Sequence, residues 1–104
     1  MSDILSNVIL TKIQNPNCKF IIFGLEYCPF TKFSKDICKN NNLKYKFYPI
    51  DKYKNIFLES LNKLDKQLII NSNHNTFPII FYDQKFIGGS TDLKYFIDNV
   101  KLKL

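Results

Sequence analysis

The stretch "KFIIFGLEYCPFTKF", residues 19–33, decides how the chain reads. "KFIIFG" is a short apolar run, rich in β-branched and aromatic residues and closed by Gly24, and it predicts a buried strand. Pro29 has no N–H to leave unpaired in the first turn of a helix, and its fixed φ suits that position. A helix from there sets Phe30, Phe33, Ile37 and Cys38 on an inner face, and "NNN" at 40–42 ends it. Cys28 therefore ends the loop after the strand and opens the helix. Backbone N–H groups lack partners at such a place and the helix dipole presents its positive end. Both favour thiolate over thiol, and the thiolate is the attacking species. Thr31 holds the fourth place of a would-be C-x-x-C, so no disulfide can close across this turn, although its hydroxyl is small enough to hydrogen-bond the Cys28 sulfur.

Outward from this stretch the pattern stays regular. "LKYKFYP" alternates, with Leu43, Tyr45 and Phe47 on one face and Lys44, Lys46 and Tyr48 on the other, which predicts a half-exposed edge strand closed by Pro49. The strand–helix–strand unit over 19–48 should be a right-handed parallel crossover. Before it, Ser2 and Asp3 can cap a first helix with Ile4, Leu5, Val8, Ile9 and Ile13 at helical spacing, stopped by "NPN" at 15–17. After it, Phe57, Leu61, Leu64 and Leu68 mark a third helix over 53–68, followed by the polar loop "NSNHN". "FPIIFYD" and "KFIGG" are two strands around a tight turn at Asp83–Gln84, close enough only for antiparallel pairing. Ser90 or Thr91 caps a last helix with Leu93, Phe96, Ile97 and Val100 as its stripe. The order α-β-α-β-α-β-β-α gives an α/β fold with a mixed four-stranded sheet between helices.

The 104 residues amount to one domain over 1–104, and 45% hydrophobic residues favour a packed core over disorder. The net charge is +6, and all 15 basic residues are lysines spread along the chain. Without arginine, and without a block of like charge, the chain is not expected to bind nucleic acid. A positive field still attracts small anions. No apolar run approaches the roughly 18 residues of a membrane span, and the first 13 residues, with Asp3 and no basic lead, do not read as a secretory signal. Cys18, Cys28 and Cys38 offer neither a disulfide framework nor, with His74, a plausible zinc set, which favours a reducing, cytoplasmic compartment. Cys38 lies about 15 Å along the helix from Cys28, beyond bridging distance, and is expected to be packed and inert. Cys18, in the turn entering the first strand, is at most a secondary oxidisable thiol.

Two further segments bear on the cysteine. "TFP" at 76–78 starts a strand with Pro78; were that bond cis and facing Cys28, the backbone of Phe77 would be free to pair with an extended peptide. The plainer reading is a strand-start proline. "GGST" at 88–91 joins a strand to a helix, where two glycines admit a ligand backbone and the helix start offers N–H groups and hydroxyls to a carboxylate. Its plainer reading is a glycine turn with a cap.

Taken in order, the three segments resemble the glutaredoxin family, of thioredoxin-like fold, over nearly the whole chain. "YCPFT" is similar to that family's Y-C-P-Y-C, "TFP" to T-V-P and "GGSTD" to G-G-C-D-D. The resemblance implies a glutathione site with Cys28 as nucleophile. Tyr27, Pro29, Phe30 and Thr31 complete the active-site motif, with Tyr27 and Phe30 bordering the groove. Thr76, Phe77 and Pro78 would hold the cysteine part of glutathione through the Phe77 backbone. Gly89, Ser90 and Thr91 would meet its γ-glutamyl carboxylate, and Asp92 its amine. Thr31 aligns the chain with the monothiol members, which more often carry C-G-F-S. Leu25 stands where the family commonly has a basic residue, and His74 and Asn75 where Arg or Gln often precedes T-V-P.

The activity so implied is glutathione-dependent thiol–disulfide exchange by a monothiol route, acting on glutathionylated proteins, slowed by the changes at Thr31 and Leu25. Two alternatives stay open. One is a carrier of a [2Fe–2S] cluster, in which two copies each supply Cys28 and a glutathione thiol to complete four thiolates. The other is a non-catalytic adaptor. Without a cluster the chain is expected to be a monomer.

Overall fold

Every residue of the first strand is buried because that strand lies in the middle of the sheet with helices on both faces. The computed structural model describes residues 2–64 and 77–99. The elements are α1 (Ser2–Ile13), β1 (Phe20–Gly24), α2 (Pro29–Asn40), β2 (Tyr45–Pro49), a 3₁₀ turn (Asp51–Tyr53) running into α3 (Lys54–Asn62), β3 (Ile79–Tyr82), β4 (Lys85–Gly88) and α4 (Ser90–Asn99). The expectations for Leu68, His74, Asn75, Thr76 and Val100, and for the capping side chains of Ser2 and Asp3, fall outside what is described.

The sheet runs β2-β1-β3-β4. β1 pairs parallel with β2, as the crossover requires, and antiparallel with β3. β3 and β4 form the expected hairpin, whose turn residues Asp83 and Gln84 both take positive φ, 50° and 68°. That pair of left-handed residues matches the twist of the flanking strands. The alternation of a strand then divides the core in two. Ile21, Phe23, Ile79 and Phe81 face Ile9, Ile13, Phe57 and Leu61 on one side. Phe20, Ile22 and Ile80 face Cys38, Leu93 and Ile97 on the other.

The sequence pattern and the structure part at three helices. α1 buries Ile9 and Ile13 together with Ser6, whose hydroxyl donates to the Ser60 carbonyl at 2.7 Å across the α1–α3 contact, while Ile4 and Val8 face outward. The third helix closes at Asn62, where the Leu64 N–H bonds the Leu61 carbonyl at 2.9 Å in a tight turn that carries Leu64 into the core; residues 65–68 of the expected span lie outside the described residues. The largest difference is in α2. Its buried side chains are Thr31, Ser34 and Cys38; Phe30 and Phe33, expected inside, are 60% and 44% exposed. Ile37, also expected inside, is half-buried against the Cys38 cluster, while at the first turn Thr31 closes tightly on the end of β1. A Cβ placed on Gly24 would stand 2.6 Å from Thr31 Oγ1.

The end of α2 follows the asparagine run as expected. Asn42 takes a φ of 57°, the Leu43 N–H reaches the Cys38 carbonyl at 2.8 Å, and Asn41 Nδ2 donates to the Ile37 carbonyl at 2.7 Å. These bonds satisfy carbonyls that the helix end would otherwise leave open.

Candidate active site

Strand register brings the three segments to one end of the sheet. Phe23 lies opposite Ile79, and Ile80 opposite Gly88. Gly24, Pro78 and the Gly88–Gly89 turn therefore sit at the same edge of three neighbouring strands, β1, β3 and β4. Pro78 and Thr31 both approach the open face of Gly24, at 3.4 Å for Pro78 Cβ and 2.6 Å for Thr31 Oγ1 from where a Cβ would stand. The first turn of α2 is thereby fixed against the start of β3.

Cys28 is the N-cap residue of α2, with φ −76° and ψ 128°, Pro29 following at the first helical position, and no capping bond from its own side chain. It is half-buried, whereas Cys18 and Cys38 are buried. The Cys28 N–H donates to the Leu25 carbonyl, and the Cys28 carbonyl accepts from the Lys32 N–H, each at 3.2 Å. The sulfur is thus left as the one group of this residue outside the backbone bonding. Cys38 packs under the sheet with no exposed surface, and burial pushes its thiol up to about 11, which suits the packed, inert role expected of it.

Two residues that shape the loop before Cys28 carried no signal in the sequence. Asp51 accepts the Glu26 N–H on both carboxylate oxygens, at 3.1 and 3.3 Å, tying the loop to the end of β2. The Ile50 N–H donates to the Gly24 carbonyl at 3.0 Å beside it. Asp51 lies 25 residues from Glu26, and no local pattern announces so distant a contact. Leu25 is half-buried against the core on the α1–α3 side.

Thr31 is fully buried and its hydroxyl has no hydrogen-bond partner. The bond to the Cys28 sulfur that its size allows is therefore not made; the side chain packs against Gly24. Tyr27 is 90% exposed and stands with Phe30 at the mouth of this end of the sheet. The Phe77–Pro78 bond is cis, and the Phe77 ring sits 5.9 Å from that of Phe57.

At the start of α4 the cap differs from expectation. The Leu93 N–H bonds the Gly89 carbonyl at 3.0 Å, so Gly89 occupies the N-cap and Ser90 and Thr91 the first two helical positions. Asp92 reaches back to the Gly89 N–H at 2.9 Å, the acidic half of a capping box. A glycine cap has no side chain of its own to accept from the N–H groups of Ser90 and Thr91, while the Asp92 carboxylate takes the Gly89 N–H beside them. Gly88 has φ +131°, and a Cβ there would run into the Asp92 carboxylate. Ser90 is buried and Thr91 exposed. Among the described residues no cluster of three or more His, Cys, Asp or Glu is placed to hold a metal ion, and no helix is long and apolar enough to cross a membrane.

The profile of the Glutaredoxin family matches residues 8–87. The chain is 32% identical over 82 residues to a probable glutaredoxin of Acanthamoeba polyphaga mimivirus, covering 76% of this chain and 77% of that one. It is 32% identical over 72 residues to Glutaredoxin-2 of Schizosaccharomyces pombe, covering 69% of this chain but 61% of the relative's length. The fold is similar to that of a buckwheat glutaredoxin crystallised with glutathione, with a TM-score of 0.76 over 98% of this chain and 86% of that one at 16% identity. The fold is the thioredoxin-like one, and the chain belongs to the glutaredoxin family.

Proposed function

We infer that the protein is a glutathione-dependent thiol–disulfide oxidoreductase that works through Cys28 alone. The observation that carries this reading is the position of Cys28: it caps α2 at the sheet end where Pro78 and the Gly88–Gly89 turn also lie, and Thr31 stands where a resolving thiol would be. In the first step the Cys28 thiolate attacks the glutathione sulfur of a protein–glutathione mixed disulfide. The S–S bond breaks, the protein sulfur leaves as a thiolate and takes up a proton, and Cys28 carries the glutathione. A second glutathione thiolate then attacks that sulfur, releasing glutathione disulfide and the Cys28 thiolate. The net exchange consumes one free glutathione per mixed disulfide: its sulfur is oxidised into glutathione disulfide as the protein sulfur is reduced to the thiol.

The chain's own groups have defined tasks in this scheme. The open end of α2 stabilises negative charge on Cys28. The Phe77 backbone pairs with the cysteine part of glutathione, with Thr76 beside it. Gly89 and the N–H groups of Ser90 and Thr91 receive the γ-glutamyl carboxylate. Asp92, whose carboxylate already lies at that helix start, meets the ammonium. Tyr27 and Phe30 wall the groove, and the Asp51 bond to Glu26 N–H holds the loop that presents Cys28. Proteins carrying a glutathionylated cysteine are the substrates.

The test is turnover of the mixed disulfide between glutathione and hydroxyethyl thiol, coupled to glutathione reductase. Turnover that disappears in Cys28→Ser and persists in Cys18→Ser and Cys38→Ser supports the reading. A Cys28→Ser variant with full activity overturns it. Visible absorbance after anaerobic reconstitution with iron, sulfide and glutathione would instead point to cluster carriage.

A further inference from the structure

A cavity of about 240 Å³ opens between α1, the end of β2 and the turn into α3. None of the residues assigned to the Cys28 site lines it. Its walls are largely aromatic: Phe23, Tyr48, Tyr53 and Phe57 meet the aliphatic side chains of Leu5 and Val8. The Phe23 ring stacks on Tyr48 at 5.7 Å and leans on Phe57 at 5.2 Å, which fixes these walls against one another. Tyr48 is held a second way, by Asn15 Nδ2 donating to its hydroxyl at 3.4 Å. Val8 and Tyr53, 45% and 47% exposed, are the walls that meet water, so the cavity is reached from outside along them.

The charge at this cavity is of one sign. Lys12 lines it, with Nζ 5.2 Å from the centre of the Tyr48 ring. Lys46 stands two residues before Tyr48, hence on the same face of β2, and its Nζ lies 5.8 Å from that ring. Neither lysine forms an ion pair with a described residue, and no Asp or Glu among the described residues lines the cavity. Apolar walls with two unpaired ammonium groups at one of them suit a ligand that is apolar at one end and anionic at the other. The volume limits its size. A dry apolar cavity of about 150 Å³ holds benzene, so this one accepts a single ring with a short arm. Aromatic walls favour a ring over an alkyl chain of equal area. We propose that the cavity binds a small aromatic carboxylate, its ring seated among Phe23, Tyr48, Tyr53 and Phe57 and its carboxylate beside Lys12 and Lys46. The proposal is independent of the oxidoreductase reading.

The experiment is an amide NMR titration of the full chain with phenylpropionate, set beside phenylpropanol as its neutral counterpart and octanoate as an alkyl carboxylate of similar size. Phenylpropionate is expected to give saturable shifts at the Val8, Tyr48 and Tyr53 amides, with a Kd of about 1 mM for a ligand so small. The alcohol and octanoate should each bind about threefold more weakly or worse, the alcohol for want of the contact with exposed lysines and octanoate for want of a ring. Lys12→Gln is expected to weaken phenylpropionate about threefold and to leave the alcohol unchanged. Val8→Glu sets a negative charge at the exposed rim; it should abolish phenylpropionate binding while leaving the melting temperature and turnover of the hydroxyethyl mixed disulfide unchanged. Shifts that spread over the surface and rise without saturating overturn the proposal. Equal binding of the alcohol overturns the carboxylate half of it, and equal binding of octanoate the aromatic half. Full affinity in both variants overturns the location.

Discussion

Replacing Thr31 by valine tests the packing around the nucleophile most closely. The hydroxyl of Thr31 is fully buried, has no hydrogen-bond partner, and lies against Gly24 and Pro78. A buried polar group left unpaired costs about 1–3 kcal/mol. Valine keeps the β-branched shape and removes that cost. Its methyl is larger than the hydroxyl, and the space beside Gly24 is tight, with Thr31 Oγ1 only 2.6 Å from where a Cβ would begin. Some of the gain is therefore lost to crowding, and we expect a net stabilisation of about 1 kcal/mol, or a rise in melting temperature of about 4–8 °C for a domain of this size. Urea denaturation with an unchanged m-value is the appropriate assay, alongside turnover of the hydroxyethyl mixed disulfide, which should be unaffected. A destabilisation of about 1 kcal/mol or more would refute the reasoning, because it would mean the hydroxyl is bonded. Unchanged stability with a large fall in turnover would show that it reaches the Cys28 sulfur during the reaction.

Four further outcomes are expected. Gly88→Ala, which drives a Cβ into Asp92 at a φ of +131°, should destabilise by about 1–3 kcal/mol and raise the KM for glutathione, measured by denaturation and by steady-state kinetics. Asp51→Ala should speed hydrogen exchange at the Glu26 amide and lower turnover with little effect on global stability, since the contact is at the surface. Thr31→Cys should change disulfide reduction by providing a resolving thiol; unchanged activity would place position 31 outside the chemistry. Burial holds the Cys38 thiol protonated, so its contribution to stability is intact below the ordinary value of 9.0 and is lost as the pH rises from there through about 11; Cys38→Ala should flatten the fall in the denaturation midpoint over that window.

The element order was legible because it depends on local signals: apolar runs bounded by glycine and proline, the alternation at 43–49, and the asparagines at 40–42. The mixed sheet follows from the lengths of the connections. What hydrophobic periodicity could not supply was the amount of room on each face. It set Phe30 and Phe33 inside α2 because they are apolar, whereas the buried side chains are Thr31, Ser34 and Cys38, with Thr31 held close against Gly24. The same blindness to space put the cap of α4 on Ser90 or Thr91, although Asp92 reaches back over Gly89. At the site, Cys28, Pro78 and the Gly88–Gly89 turn stood out as short motifs, but Asp51 did not, since its tie to Glu26 exists only once β2 lies beside β1.

The central claim is that one sulfur, with no second thiol to relieve it, holds the glutathione between half-reactions. Intact-protein mass spectrometry after mixing with the hydroxyethyl–glutathione disulfide reads this directly. The account predicts one glutathione per chain, mapped to Cys28, persisting until glutathione is added and then discharged as fast as the enzyme turns over. An adduct on Cys18 or Cys38, an intramolecular disulfide in its place, or a discharge far slower than turnover would contradict it.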